Sequence, residues 1–188
     1  MYELCFVGLG NPGTKYDHTR HNVGKEWLIK LSQIYNLSFE AKKKFESSIA
    51  TSHEEKILWV IPDNYVNNSG SSLKKIIKNN SLEIKNIIVL HDDLDLNPGD
   101  IRFKINGGHG GHNGLRDIFE KTGSKEFSRI RIGIGHPGMK SEVNKWVLNK
   151  FNPADKASLT NGFNKLHEVF EEICNKDFSE AQKTLHTS

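Results

Sequence analysis

The stretch from Ile87 to Gly114, IIVLHDDLDLNPGDIRFKINGGHGGHNG, constrains this chain more than any other. Its first residues, Ile87 to Leu90, form an apolar run with the length and composition of a buried strand. His91, Asp92, Asp93 and Asp95 follow at once, then a Pro98-Gly99 turn and an edge strand expected around Ile101 to Ile105. Five glycines, two histidines and an asparagine fill residues 107–114. Titratable groups directly after an apolar strand sit where open α/β sheets hold ligands. A strand that merely ended in acids and turned on glycines would not need two histidines, Arg102 and Lys104 in the same stretch.

The remaining chain alternates strand and helix patterns. Leu4 to Leu9 reads as a buried strand. Val23, Trp27, Leu28, Leu31 and Ile34 repeat at helical spacing, with Asn22 in a capping position, so a helix is expected to about Tyr35. Phe45 to Thr51 and Ile57 to Ile61 read as strands joined by the polar turn SHEEK. Asn67, Asn68 and Ser69 introduce a helix marked by Leu73, Ile76 and Ile77. A short helix is expected from Asn113 or Gly114, holding Leu115, Ile118 and Phe119. Arg129 to Ile134 alternates basic and apolar residues as a half-exposed strand would, and Ser141 to Asn149 is read as a short helix. The strongest amphipathic helix runs through Leu159, Phe163, Leu166, Phe170 and Ile173, with Phe178 to His186 expected as a frayed final turn or two. Without an internal repeat, these elements point to one three-layer α/β domain over residues 1–188.

Composition narrows the classes. At 188 residues, 36% hydrophobic and 26% charged, the chain suits a folded domain with a real core. The net charge of +3 is too small to argue a polyanionic partner by itself, but its distribution does. Residues 101–150 hold ten Arg or Lys against four Asp or Glu, whereas residues 151–188 hold four against six. Positive charge therefore gathers around the glycine-rich stretch, where a polyanion would feel it. Cys5 and Cys174 lack metal or redox spacing and read as core thiols. The first residues, MYELCFVGLG, lack the pattern of a signal peptide, and no run approaches the roughly 18 residues of a membrane span. A soluble, cytoplasmic protein is expected.

Gly8, Gly10 and Gly13 match the spelling of a dinucleotide-binding loop, but Pro12 holds Asn11 away from helical dihedrals and no acidic strand end follows at the required distance. The loop instead brings Asn11, Tyr16, His18, Arg20, His21 and Asn22 to the end of the first strand. With Asn67, His91, Asp92, Asp93, Asp95, His109, His112 and Asn113, three chemistries are open. Histidines and carboxylates bind metals, but this set lacks a rigid ligand spacing. A serine or cysteine nucleophile needs an elbow that is missing. A His–Asp pair that activates water uses the whole constellation: imidazole takes the proton, the carboxylate orients it, and carboxamides stabilise the oxyanion. The competing class is an RNA-binding module without turnover, which needs the basic face but not His21 and Asp92 together.

VGLGNPG, Tyr16, TRHNVG, NNSG after Pro62, HDDLDL, FKINGGHGGHNGLRD and RIRIGIGHPG together resemble the bacterial peptidyl-tRNA hydrolase family, over almost the entire chain. The resemblance implies a twisted mixed sheet enclosed by helices, no cofactor and a monomer. The implied reaction is hydrolysis of the ester joining a peptide to the terminal ribose of tRNA, the enzyme contacting the acceptor end. It makes His21 the water activator and Asp92 its orienting carboxylate. Asn11, Asn67 and Asn113 would shape the site around the scissile carbonyl, with Tyr16 meeting the terminal adenosine. Arg102, Lys104, Arg131 and Lys140 would face the tRNA, and residues 138–150 would form a mobile lid. The chain departs from the family at Val66, where methionine is common, and at Asn106, where glycine is frequent. Asparagine tolerates the left-handed dihedrals such a turn needs.

Overall fold

The computed structural model describes residues 1–54 and 56–187. In chain order the strands are Leu4–Gly8 (β1), Glu40–Lys42 (β2), Ser47–Ser52 (β3), Ile57–Pro62 (β4), Ile87–Asp93 (β5), Ile101–Ile105 (β6) and Ser128–Gly133 (β7). The helices are Val23–Ile34 (α1), Ser69–Asn80 (α2), Asn113–Thr122 (α3), Val143–Val147 (α4), Pro153–Glu168 (α5), Phe170–Cys174 (α6) and Phe178–His186 (α7). Glu55, in the turn expected between β3 and β4, lies outside the described residues.

One mixed sheet has the order β2-β3-β4-β1-β5-β7-β6. Its centre, β4-β1-β5-β7, is parallel, and antiparallel pairs close both edges. β1 and β4 are buried at every position because helices cover both faces, which is why they read as unbroken apolar runs. On one face Phe6, Trp59, Leu90 and Ile130 pack with Trp27 and Leu28 of α1 and Phe163, Phe170 and Leu185 of the C-terminal helices. On the other, Val7, Val60 and Val89 pack with Leu73 and Ile76 of α2 and Leu115 and Ile118 of α3. These are the three layers. Phe6, Trp59 and Phe170 meet at centroid separations of 4.8–5.5 Å, and truncating any of them to alanine would cost about 3–5 kcal/mol.

Several expectations need correction. β5 does not stop at Leu90 but runs on to Asp93, so His91 and Asp92 are held by strand pairing rather than by a loop. β2 was not legible, since all three of its residues are exposed. The long C-terminal helix is two, α5 and α6, jogged at Val169, although its apolar stripe stays buried across the break. Phe178 to His186 is not a frayed end. It is an ordered helix lying along edge strand β6, where Gln182 donates to the Phe103 carbonyl at 3.1 Å and the Phe103 N–H donates to His186 Nε2 at 3.2 Å. Such cover protects an edge from pairing with another chain. β7 is almost wholly buried rather than half-exposed. Of the two thiols, Cys5 is buried and Cys174 half-buried.

One contact places the site. A Cβ on Gly24 would fall 2.2 Å from the Leu90 carbonyl oxygen. Only glycine lets the start of α1 rest directly on β5, and that brings the turn at Arg20–Asn22 beside Asp92.

Candidate active site

His21 lies in that turn, and its side chain is half-buried at the wall of a cavity. Its Nδ1 is 2.9 Å from Asp92 Oδ2 and 3.0 Å from Oδ1. Asp92 is buried, and its Oδ1 lies 2.8 Å from His112 Nε2. His112 is the N-cap of α3: its Nδ1 accepts the N–H groups of Gly114 and Leu115 at 3.1 and 3.3 Å. That settles the protons. With Nδ1 occupied as an acceptor, His112 carries its proton on Nε2 and donates it to Asp92. His21 likewise donates from Nδ1, leaving its Nε2 as the nitrogen able to take a proton.

The electrostatics agree. Burial opposes charge on His21, but the charge of Asp92 and its hydrogen bond outweigh it and raise the imidazole pKa above the ordinary value. Burial also works against ionised Asp92, yet the two histidines overcome it and hold the carboxyl well below the usual range. Behind them, His91 donates from Nδ1 to the Asp92 carbonyl at 2.8 Å. Full burial, then the neighbouring His112, pushes its pKa down to about 3, so it stays neutral.

His21, Asp92 and His112 also place nitrogen and oxygen donors within 4.8 Å of one another, a spacing a metal ion accepts. The proton count argues against it. To ligate through Nε2, His112 would need to lose its remaining proton or free its Nδ1 from the helix, and Asp92 would lose a hydrogen-bond donor.

The cavity has a volume of about 610 Å³. His21, Asp92, His112 and Asn113 occupy one part of its wall, and Lys104, Arg129 and Arg131 another. Val143, Asn144, Val147 and Leu148, within the segment read as a lid, line it as well. Asn113, first residue of α3, is exposed. Asn11 lies outside the cavity lining and is fixed by hydrogen bonds. It exchanges backbone contacts with the Asn22 carboxamide at 2.8 and 3.0 Å, and its own Oδ1 accepts the Val66 N–H at 2.9 Å. Asn22 is thus a bridge between loops rather than the helix cap expected. The Asn11 carboxamide is anchored by its oxygen, which turns its NH2 into the available donor.

Asn67 is exposed beside Val66. Val66 itself is buried, with Cγ1 2.8 Å from where a Cβ on Gly114 would stand, and it does not line the cavity. Asn106 adopts φ 61°, the left-handed turn that asparagine tolerates. Tyr16 sits edge-on to the exposed ring of Tyr65 at 5.9 Å. Lys104 and Arg131 reach the cavity, whereas Arg102 and the exposed Lys140 lie outside its lining. Sequence reading held His112 among the candidates without its role as second donor to Asp92, and it left out Arg129 as a buried cation. For His112 a signal existed: a histidine placed just before an amphipathic helix can cap it.

A buried carboxylate gripping a histidine whose outer nitrogen is free, at the mouth of a cleft in an α/β sheet, marks an enzyme of hydrolase type. The sequence profile of the family described as peptidyl-tRNA hydrolase matches residues 5–188. A peptidyl-tRNA hydrolase of Ruthia magnifica is 40% identical over 184 residues, covering 96% of both chains. One from Francisella tularensis subsp. novicida is 39% identical over 183 residues with the same coverage. The crystal structure of the Acinetobacter baumannii peptidyl-tRNA hydrolase superposes with a TM-score of 0.94 at 34% identity, covering 100% of this chain and 97% of that one. The chain belongs to the peptidyl-tRNA hydrolase family.

Proposed function

We propose that this protein hydrolyses the ester between a peptide and the terminal ribose of peptidyl-tRNA, with His21 as the base that activates water. The observation that carries the reading is the bond of 2.9 Å from His21 to a buried Asp92, because it leaves only the His21 Nε2 free to act. Water gives a proton to that nitrogen as its oxygen adds to the peptide carbonyl carbon. Asp92 stabilises the imidazolium formed. The NH2 groups of Asn11 and Asn113 supply hydrogen bonds to the oxyanion, and Asn67 engages the peptide group, which offers both donor and acceptor. The oxyanion then collapses, the carbon–oxygen ester bond breaks, and the imidazolium returns its proton to the departing ribose oxygen. The products are a peptide acid and reusable tRNA.

Lys104 and Arg131, on the far wall of the cavity, hold phosphates of the acceptor end, with Arg102 and Lys140 extending that basic surface. Tyr16, backed by Tyr65, gives the terminal adenine an aromatic face. Residues 138–150 act as a lid, since four of them already line the cleft.

Single-turnover release of peptide from peptidyl-tRNA tests the proposal. His21→Ala should lower the rate by at least about a hundredfold while tRNA still binds. Release at the parental rate would remove His21 from this role, and recovery of intact peptidyl-tRNA with the parent protein would favour a binding module instead.

A further inference from the structure

Arg129 is a charge without a counter-charge. It is buried, and its Nε and Nη2 have no hydrogen-bond partner among the described residues. Its Nη1 donates to the Gly108 carbonyl, and its guanidinium packs 5.6 Å from the Phe127 ring and 6.0 Å from that of Phe119. These contacts offset part of its desolvation, but an unpaired buried cation remains expensive.

The surroundings make the cost larger. In the register of β6 and β7, Lys104 stands directly opposite Arg129, and Arg102 directly opposite Arg131. Like charges in such cross-strand positions repel. Arg129 Nη2 and Lys104 Nζ both lie within 3.0 Å of the place where a Cβ on Gly107 would be, so the two cationic groups are close neighbours. Burial and then the charge of Arg131 push the Arg129 pKa down, with Asp93 opposing. Asp93 is committed to Arg131, whose Nε it holds at 2.7 Å. Among the described residues no carboxylate forms an ion pair with Arg102, Lys104 or Arg129. Four cations thus share one patch of sheet with a single acid, and three of them, Lys104, Arg129 and Arg131, line the cavity.

We infer that Arg129 is the buried floor of a phosphate subsite, a positioning residue whose uncompensated charge is neutralised only when a phosphate of the tRNA acceptor end lies between Lys104 and Arg131. Lys104 and Arg131 touch the phosphate. Arg129 acts from beneath, strengthening the field there and anchoring the glycine loop through Gly108. Charge fixed in a low-dielectric wall acts on an anion more strongly than the same charge in solvent. Glycine at position 107, with φ 120°, leaves room for both cationic tips.

The inference rests on the proposed peptidyl-tRNA reading. The test compares kcat/KM on peptidyl-tRNA with kcat/KM on peptidyl-adenosine, which keeps the ester and lacks every phosphate. In Arg129→Gln the ratio of the two should fall about tenfold, through KM on peptidyl-tRNA. Arg129→Lys, which keeps the charge, should restore most of it. If Arg129 only supports the glycine loop, both substrates suffer alike and the ratio stays put, which overturns the inference; so does a Lys variant as poor as the Gln variant. Peptidyl-tRNA stripped of its 5′-phosphate separates two sources. Loss of the Arg129→Gln effect puts the terminal phosphate in the subsite, and its persistence puts an internucleotide phosphate there; either result supports the subsite. A parent protein that cleaves neither substrate defeats the underlying reading instead.

Discussion

The exchange of protons around Asp92 gives each histidine a different duty, and the geometry says which substitution exposes which duty. His112 is tied at both nitrogens, so it cannot be the base; it orients Asp92 and caps α3. His112→Ala should therefore do two separable things. Thermal unfolding should report a loss of about 1 kcal/mol for the missing cap. Single-turnover hydrolysis should slow by roughly tenfold or more, because Asp92 then has one donor fewer and more freedom to leave His21. A full rate in a destabilised variant would reduce His112 to a cap. Asp92→Asn makes a sharper case through pH. In the parent the His21 pKa is raised by Asp92, so activity should be lost as pH falls through a value above that of a free imidazole, near 6.5. Removing the carboxylate removes the cause. The acid limb of the rate profile should then move to lower pH while the plateau drops. An unmoved limb would mean that His21 is not the group being titrated.

At the scale of elements, α7 carries a consequence that its sequence conceals. His186 accepts the Phe103 N–H through Nε2, so the clasp needs the unprotonated ring. Partial burial and then the charge of Arg102 hold the His186 pKa below that of a free imidazole. Folded α7 thus binds fewer protons than the unfolded chain between that lowered value and about 6.5, and its docking is complete above about pH 6.5 and weakens as pH falls from there. Amide exchange at Phe103 and along residues 178–186 should quicken on acidification in this range. His186→Ala should flatten the response, and an exchange rate in the parent that ignores pH after correction for intrinsic chemistry would refute the clasp. Ala181 and Leu185 are the helix residues buried there, too thin a stripe to distinguish a docked helix from a fraying one. The same economy hid β2, whose three exposed residues carry no apolar alternation. The break at Val169 was hidden for the opposite reason, since its stripe is continuous. By contrast β1, β4 and β5 were legible because burial on both faces leaves an apolar run. His21 and Asp92 were legible as chemistry, but their contact depends on Gly24 meeting Leu90, a tertiary fact no local pattern holds. Arg129 was missed because Arg-Ile-Arg-Ile spells a half-exposed strand. What buries its polar side is a glycine loop 21 residues earlier in the chain, closing over it at Gly108.

For the whole molecule, charge and chemistry occupy different parts of one cavity. In the His21–Asp92–His112 array two neutral imidazoles donate to one ionised carboxylate, so its single negative charge is held by hydrogen bonds within the array. The excess positive charge lies with Lys104, Arg129 and Arg131 on the other side. Salt should consequently separate capture from hydrolysis. Each phosphate held by Lys or Arg releases counterions, so the logarithm of tRNA affinity falls with the logarithm of salt by about 0.7–0.9 per contact. The chemical step, between groups already buried in the complex, feels little of this screening. Raising salt should thus raise KM steeply on peptidyl-tRNA while the single-turnover rate at saturating enzyme stays nearly constant. Reversing one half-buried member, Arg131→Glu, should reduce the salt slope by more than one contact's worth, because the new carboxylate also joins Asp93 in opposing the phosphate. It should leave the pH of the acid limb near its parental place, as His21 and Asp92 keep their bond. A variant with the parental salt slope would show that Arg131 meets no phosphate. One whose acid limb moved as far as in Asp92→Asn would show that the two parts of the cavity are not electrostatically separate, and the division of labour drawn from their positions would fail.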